Sequence, residues 1–195
     1  ITITGTNDGP VANADVATIT EDAAPVTGNV LANDTDPDGD ALTVTTTGAQ
    51  AGTYGTVSIN ADGTFSYALD NASPAVQALG VGDTVTETFS YSISDGNGGT
   101  SASTLTIIIS GANDGPVANI DAATIAEDAI APVTGNVLDN DTDAEGDTLS
   151  VTNSGTLPGS HGTLTLSGDG NYSYSLNNSD PAVQGLAVGE TLTET

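Results

Sequence analysis

Residues 33–40 read Asn33-Asp34-Thr35-Asp36-Pro37-Asp38-Gly39-Asp40. Carboxylates alternate with small or turn-forming residues, and Gly39 stands where the chain has to bend, because glycine takes φ > 0 at little cost. The pattern returns as Asn140-Asp141-Thr142-Asp143-Ala144-Glu145-Gly146-Asp147. Alternation aims side chains into the loop and makes a nest of hard oxygen donors, which suits Ca²⁺ better than a transition metal. Two carboxylates about 4 Å apart repel by roughly 4 kcal/mol at an effective dielectric near 20, so such a loop needs a cation or must splay into solvent. A solvated Asp/Gly turn is the alternative, and recurrence at the same spacing weighs against it. Asp34, Asp36, Asp38 and Asp40, with Asp141, Asp143, Glu145 and Asp147, are the first candidate ligands. Asp38 and Asp40 have a second reading, as solvated residues or as ligands through backbone oxygens.

The composition around these loops narrows the partners. The 195 residues include 26 Asp and Glu, no Lys or Arg, and one His, for a formal charge of −26. Only His161 can form a salt bridge. Nucleic acids and anionic membrane surfaces are recognised through Lys and Arg, so both are excluded as expected partners. Charged residues are 13% of the chain and apolar residues 36%, which fits thin β cores rather than a solvating acidic tail. No Cys is present. Extracellular domains of this size are commonly stapled by disulfides, and metal is the obvious substitute. No apolar run reaches the ~18 residues of a membrane span, and no signal peptide is visible. The chain does not begin with Met and reads as a window on a longer protein.

The loops sit in a tandem repeat. Asn7-Asp8-Gly9-Pro10-Val11-Ala12-Asn13 returns at residues 113–119, Pro25 to Leu31 at 132–138, and Pro74-Ala75-Val76-Gln77 at 181–184. A period above about 100 residues means tandem domains with separate cores, not a solenoid of short units. The expected organisation is 1–10 as the end of an upstream repeat and linker, 11–112 as repeat 1, 113–117 as linker, and 118–195 as a truncated repeat 2. Thr195 aligns with Thr88, so repeat 2 lacks the counterpart of residues 89–110. Another chain could supply those strands, since an unpaired edge is adhesive.

Repeat 1 reads as strands: 16–20, 26–31, 42–47, 54–60, 64–69, 84–94 and 101–110. Phe65, Tyr67 and Leu69 alternate onto one face, as do Phe89, Tyr91 and Ile93, and again Leu105, Ile107 and Ile109. Ala61-Asp62-Gly63 is a hairpin turn, and Asp95-Gly96-Asn97-Gly98-Gly99 is another. The one helical signal is residues 73–80, with Ser73 as N-cap, Pro74 in the first turn and Gly80 as stop. About seven short strands in ~100 residues predict an all-β, immunoglobulin-like sandwich. Asp62 and Asp169 read as ordinary turn residues. His161 replaces Tyr54 of repeat 1 and has no expected partner.

These runs carry a resemblance. Gly-Thr-Asn-Asp-Gly-Pro-Val, then Glu-Asp, then Thr-Gly-Asn-Val-Leu-Ala-Asn-Asp-Thr-Asp-Pro-Asp-Gly-Asp, Asp-Gly-Thr-Phe-Ser-Tyr and Phe-Ser-Tyr-Ser-Ile-Ser-Asp-Gly-Asn-Gly-Gly-Thr resemble the VCBS/cadherin-like repeats of giant bacterial RTX-type adhesins. The resemblance covers essentially the whole chain. It implies tandem cadherin-like β-sandwiches, the second incomplete here, with Ca²⁺ at the repeat junctions. By it, Glu21 and Glu127 stand for the cadherin Pro-Glu-Asn glutamate. Asp34/Asp36 and Asp141/Asp143 stand for the Asp-x-Asp pair, and Asp95 for the late Asp-Gly ligand. Asn7-Asp8 and Asn113-Asp114 stand for the linker ligands. Asp70 matches the start of Leu-Asp-Arg-Glu, but Ala72 replaces its glutamate and Asn177 replaces Asp70 in repeat 2. One or two ions per junction are expected rather than three.

The function this implies is structural: a calcium-stiffened extender of a secreted bacterial surface adhesin or filament, projecting other domains for adhesion and biofilm formation. The chain would be exported by type I secretion and fold outside the cell. Its partners would be neighbouring repeats and other copies, through fibre or cell–cell contacts. A second reading is a Ca²⁺-dependent binding or self-assembly module that recognises a glycan or another copy. An enzyme is not expected: Asp34/Asp36 could mimic a glycosidase pair, but no acid sits in an apolar pocket pattern.

Overall fold

Alternating apolar residues build two sheets in the first repeat, and the core lies between them. The computed structural model describes residues 1–195, which divide into the units Ile1–Asp114 and Gly115–Thr195. In the first unit, β1 (Asp15–Thr20), β3 (Thr43–Val44), β7 (Thr84–Ser94) and β8 (Thr100–Ser110) form a sheet in the order β1-β8-β7-β3. β1 runs parallel to β8, and the other pairs are antiparallel. The second sheet is antiparallel, in the order β2-β6-β5-β4, from β2 (Val26–Asn29), β4 (Gly48–Ala51), β5 (Gly55–Ile59) and β6 (Thr64–Leu69). This is the expected all-β sandwich.

Alternation predicted most of the inward set; Leu69 is only partly buried, and Val57 and Ile59 join it. Val57, Ile59, Phe65 and Tyr67 from one sheet and Phe89, Tyr91, Ile93, Leu105, Ile107 and Ile109 from the other are buried. Tyr67 and Phe89 meet across the two sheets, with ring centroids 6.0 Å apart and planes tilted by 53°. With only two Phe and five Tyr, the core relies on fit. A Cβ on Gly28 of β2 would come within 2.6 Å of the Phe65 ring, and one on Gly135 within 2.8 Å of Tyr172. Both repeats therefore keep glycine where the strand passes under an aromatic ring.

Several boundaries differ from expectation. The strand expected at 42–47 is only Thr43–Val44, and a strand follows at Gly48–Ala51 that patterning missed. Gly48, Ala49 and Ala51 have no β-forming side chains, so this edge strand rests on its backbone ladder with β5. The strand from Val26 stops at Asn29, whose Oδ1 accepts the Leu31 N–H at 2.8 Å and turns the chain. The helix α1 is a single turn, Pro74–Gln77, closed by Ala78 rather than Gly80, and Ser73 makes no side-chain cap. Val76 is fully buried beneath it.

The second unit has one antiparallel sheet, in the order β10-β11-β12-β9, from β9 (Val133–Asn136), β10 (Gly155–Pro158), β11 (Gly162–Leu166) and β12 (Asn171–Leu176), followed by α2 (Pro181–Gln184). This repeats the β2-β6-β5-β4 sheet. No strand forms at 121–126 or 191–195. Leu164, Tyr172 and Tyr174 are accordingly half-buried where Val57, Phe65 and Tyr67 are buried. No helix in the chain is long and apolar enough to cross a membrane.

Candidate metal centre

The acidic loop of the first unit leaves β2 and reaches β3, and its bend is at Gly39, with φ +79°; Gly146 matches it at +78°. Asp36 organises the loop. Its Oδ1 accepts the backbone N–H of Asp38 at 2.9 Å and of Asp40 at 3.2 Å. These bonds turn the following carboxylates back toward Asp36. Carboxylate oxygens of Asp36, Asp38 and Asp40 all lie within 4.8 Å of one another. Asp36 Oδ2 is buried and has no hydrogen-bond partner. A buried anionic oxygen without a donor is costly, and a hard cation among three carboxylates is what removes that cost.

Two other segments close on the loop. The turn between β7 and β8 brings Asp95, 5% exposed. Asp95 Oδ1 accepts the N–H groups of Asn97 at 2.8 Å and Gly99 at 2.9 Å, and Oδ2 accepts Asn7 Nδ2 at 2.9 Å. The Asn7 amide, ahead of the backbone donors, holds the Asp95 carboxyl below its ordinary value against the opposing effect of burial. The segment before β1 brings Asp8, whose N–H donates to Asp38 Oδ2 at 2.7 Å. From the turn, Asn97 Nδ2 donates to Asp40 Oδ2 at 2.7 Å. Asn7, Asp8, Asp36, Asp38, Asp40 and Asp95 are thus drawn together.

Asp34 is not part of that group. Its Oδ1 accepts the Asn13 N–H at 2.7 Å, and Asn13 Nδ2 donates to the Asn33 carbonyl at 2.8 Å. Asp141 accepts from Asn119 at 2.7 Å in the same way. The first aspartate of each Asp-x-Asp pair therefore ties the loop to the segment before the sandwich. Asp34 Oδ2 is also buried without a partner. It lies near Asp15, whose carboxyl is raised by burial first, then by the Asp34 charge, against a lowering hydrogen bond from Tyr91.

The remaining candidates are placed more loosely. Glu21, at the end of β1, is 3% exposed, and its carboxylate lies within 4.8 Å of that of Asp114. Its counterpart Glu127 is exposed, because the β1–β8 ladder that buries Glu21 has no equivalent in the second unit. Asp70 is exposed and turned back on its own loop, accepting the Ala72 N–H at 3.2 Å. Asn113 donates to the Asp114 carbonyl. In the second acidic loop Asp143 accepts the Asp147 N–H at 2.9 Å, Glu145 is half-buried and Asp147 exposed.

Sequence reasoning missed one residue beside the loop and two engaged carboxylates away from it. Asn97 was read only as part of a turn. Glu87 takes the Tyr67 hydroxyl and the Thr53 N–H at 2.7 Å, and Glu194 takes the Tyr174 hydroxyl in the same position. The shared Tyr/Glu spacing of 20 residues in both repeats was the available signal. His161 was expected to lack a partner; instead its Nδ1 is 2.6 Å from Asp180 Oδ2. Asp180 also caps α2 through the Ala182 N–H at 2.8 Å. An open cleft of about 730 Å³ runs between β4 and β7. Its one carboxylate is Glu87, already engaged, so it holds no free acid–base pair.

The bacterial cadherin-like domain matches residues 7–111 and 113–195. A protein of Rhizobium johnstonii described as the calcium-binding lectin RapA2 is 29% identical over 215 aligned positions, spanning 95% of this chain and 86% of that protein. An endo-fucoidan hydrolase of glycoside hydrolase family 107 aligns at 23% identity and a TM-score of 0.37, over 91% of this chain and 26% of the hydrolase.

Proposed function

The chain belongs to the family of bacterial cadherin-like domains, and from that premise we propose that it is a Ca²⁺-dependent adhesion module. In the finer form of the proposal it is a calcium-stiffened extender repeat of a large secreted bacterial surface adhesin of the VCBS/RTX type. The observation that carries the proposal is the buried, donorless Asp36 Oδ2 within 4.8 Å of the Asp38 and Asp40 carboxylates. The calcium-binding description of the Rhizobium relative supports the choice of ion. Bound Ca²⁺ would neutralise the three carboxylates. Asp95 and Asp38 would meanwhile keep the linker residues Asn7 and Asp8 seated on the sandwich, which turns a flexible linker into a fixed one.

Isothermal titration with CaCl₂ tests this. The chain should bind in the 10⁻⁴ to 10⁻³ M range typical of extracellular modules, and Asp36→Asn with Asp38→Asn should lose at least one site. Equal heats from both proteins would end the proposal. The setting proposed is the bacterial exterior, reached by type I secretion, with neighbouring repeats and other copies as partners and no catalytic role. A second reading, a module that itself binds glycan, is favoured by the lectin description of the relative. Binding to a glycan array in Ca²⁺, abolished by chelator, would put it first.

A further inference from the structure

The turn that closes the acidic loop contains the chain's one Asn-Gly step, Asn97-Gly98. Every other asparagine precedes a residue with a side chain. A glycine on the C-terminal side leaves the backbone nitrogen open to attack the preceding carboxamide carbon. Both residues are exposed. Gly98 has φ +108°, and nothing lies within 4 Å of where its Cβ would stand, so no side chain crowds the step; its N–H faces the Asp95 carboxylate, an acceptor for the proton it must give up. The Asn97 carboxamide is also not a bystander: its Nδ2 donates to Asp40 Oδ2 at 2.7 Å.

We propose that Asn97 is a site of spontaneous deamidation, and that its conversion regulates the acidic loop. The Gly98 nitrogen bonds to Asn97 Cγ and gives up its proton. The Cγ–Nδ2 bond breaks, and ammonia leaves carrying that proton. Water then opens the resulting succinimide at either carbonyl, leaving aspartate or isoaspartate at 97. The sum is asparagine plus water giving a carboxylic acid plus ammonia, with no redox change. The product replaces a donor facing Asp40 by a carboxylate facing a carboxylate. A charge-assisted hydrogen bond becomes a repulsion that a cation relieves, so ageing makes the loop more dependent on Ca²⁺. This second part rests on the proposed function; the chemistry at Asn97 does not.

The intact chain is incubated at mildly alkaline pH in chelator and, in parallel, in millimolar CaCl₂. It is then cut with pepsin, since it offers trypsin no Lys or Arg, and mapped by mass spectrometry. The peptide carrying Asn97 should be the first to gain about 1 Da, more slowly in Ca²⁺, and Asn97→Gln should abolish the gain. Conversion of any other asparagine first, or an unchanged gain in Asn97→Gln, overturns the proposal. Asn97→Asp, made directly, should melt below wild type in chelator and bind Ca²⁺ roughly 3- to 10-fold more tightly, following ligand charge. An equal melt and an equal affinity would overturn the regulatory part. If the wild type itself ignores Ca²⁺ while Asn97 still converts first, the calcium site falls and the modification site stands.

Discussion

Replacing Asp36 by Asn should stabilise the first unit without calcium and remove its stabilisation by calcium. Unit charges 4.8 Å apart, the outer limit for the Asp36, Asp38 and Asp40 oxygens, repel by about 0.9 kcal/mol at a water-like dielectric near 80. Asp36 faces two such partners, so its ionised form costs about 2 kcal/mol in this screened limit. Asn keeps an oxygen to accept the Asp38 and Asp40 N–H groups and places an N–H donor where Oδ2 has none. In chelator, Asp36→Asn should therefore melt above wild type. In 10 mM Ca²⁺ the gap should close, and with a Kd near about 10⁻⁴ M the order should invert. A site with a Kd of about 10⁻⁴ to 10⁻³ M contributes about 1.4 to 2.7 kcal/mol at that concentration. For a unit of this size each kcal/mol moves Tm by about 4–8 °C, so wild type should gain on the order of 6–20 °C. Calorimetry in both buffers reads all four values. Parallel calcium shifts in the two proteins, or a variant less stable than wild type in chelator, would refute the reasoning.

Asp95 should behave differently, because its oxygens already have donors. Its folded pKa is lowered by Asn7 and by backbone N–H groups, so its contribution is present above the unfolded value of 3.8 and is lost as pH falls through the lower folded value. An acid melt should show wild type losing stability below about pH 4, and Asp95→Asn should flatten that limb. Tyr174 is pushed up to about 12 by burial first and then by its hydrogen bond to Glu194. The stability it contributes is present below pH 10 and lost as pH rises through about 12, so phenolate absorbance from Tyr174 should emerge near that value in an alkaline titration. Tyr67→Phe removes the hydroxyl that Glu87 accepts and should cost about 1–3 kcal/mol in a urea melt by leaving that carboxylate short of a donor. Ile107→Ala, at a fully buried centre of β8, should cost about 2–5 kcal/mol in the same assay.

Where apolar alternation was strict, the strands were legible within about one residue. β6, β7 and β8 bury Phe65 and Tyr67, then Phe89, Tyr91 and Ile93, then Leu105, Ile107 and Ile109. β4 was invisible because Gly48-Ala49-Gln50-Ala51 has no side-chain pattern; its partner strand supplies the ordering. The candidate site was legible as a set of acidic residues but not as a geometry. The resemblance paired Asp34 with Asp36, yet Asp34 bonds the Asn13 N–H while the N–H groups of Asp38 and Asp40 hold Asp36 in the group. Backbone donors make that distinction, and a residue alphabet does not record where they point. The burial of Glu21 against the exposure of Glu127 likewise depends on whether the β1–β8 ladder forms, not on the shared Glu-Asp dipeptide.

A chain with no Lys or Arg has to satisfy its carboxylates from a short inventory of donors. Backbone N–H groups serve Asp36, Asp38, Asp70 and Asp95. Carboxamides serve Asp40 and Asp95. Tyrosine hydroxyls serve Glu87, Glu194 and Asp15, and the single imidazole serves Asp180. Each of these donors is fixed by the fold and neutral, apart from the imidazole when protonated, so each satisfies an oxygen without cancelling its charge. What is left over in the first acidic loop is two buried oxygens, Asp34 Oδ2 and Asp36 Oδ2, and the mutual repulsion of the Asp36, Asp38 and Asp40 carboxylates. More hydrogen bonding cannot remove that repulsion; only a positive charge can. Adding one in trans therefore separates the two causes. A monovalent salt at high concentration screens repulsion but does not coordinate, whereas millimolar Ca²⁺ does both. If the loop is a coordination site, millimolar Ca²⁺ should raise the wild-type melt further than an NaCl concentration of equal or greater ionic strength. If equal ionic strength gives equal stabilisation, the loop is only a crowded acidic turn and the buried oxygen of Asp36 is not a ligand.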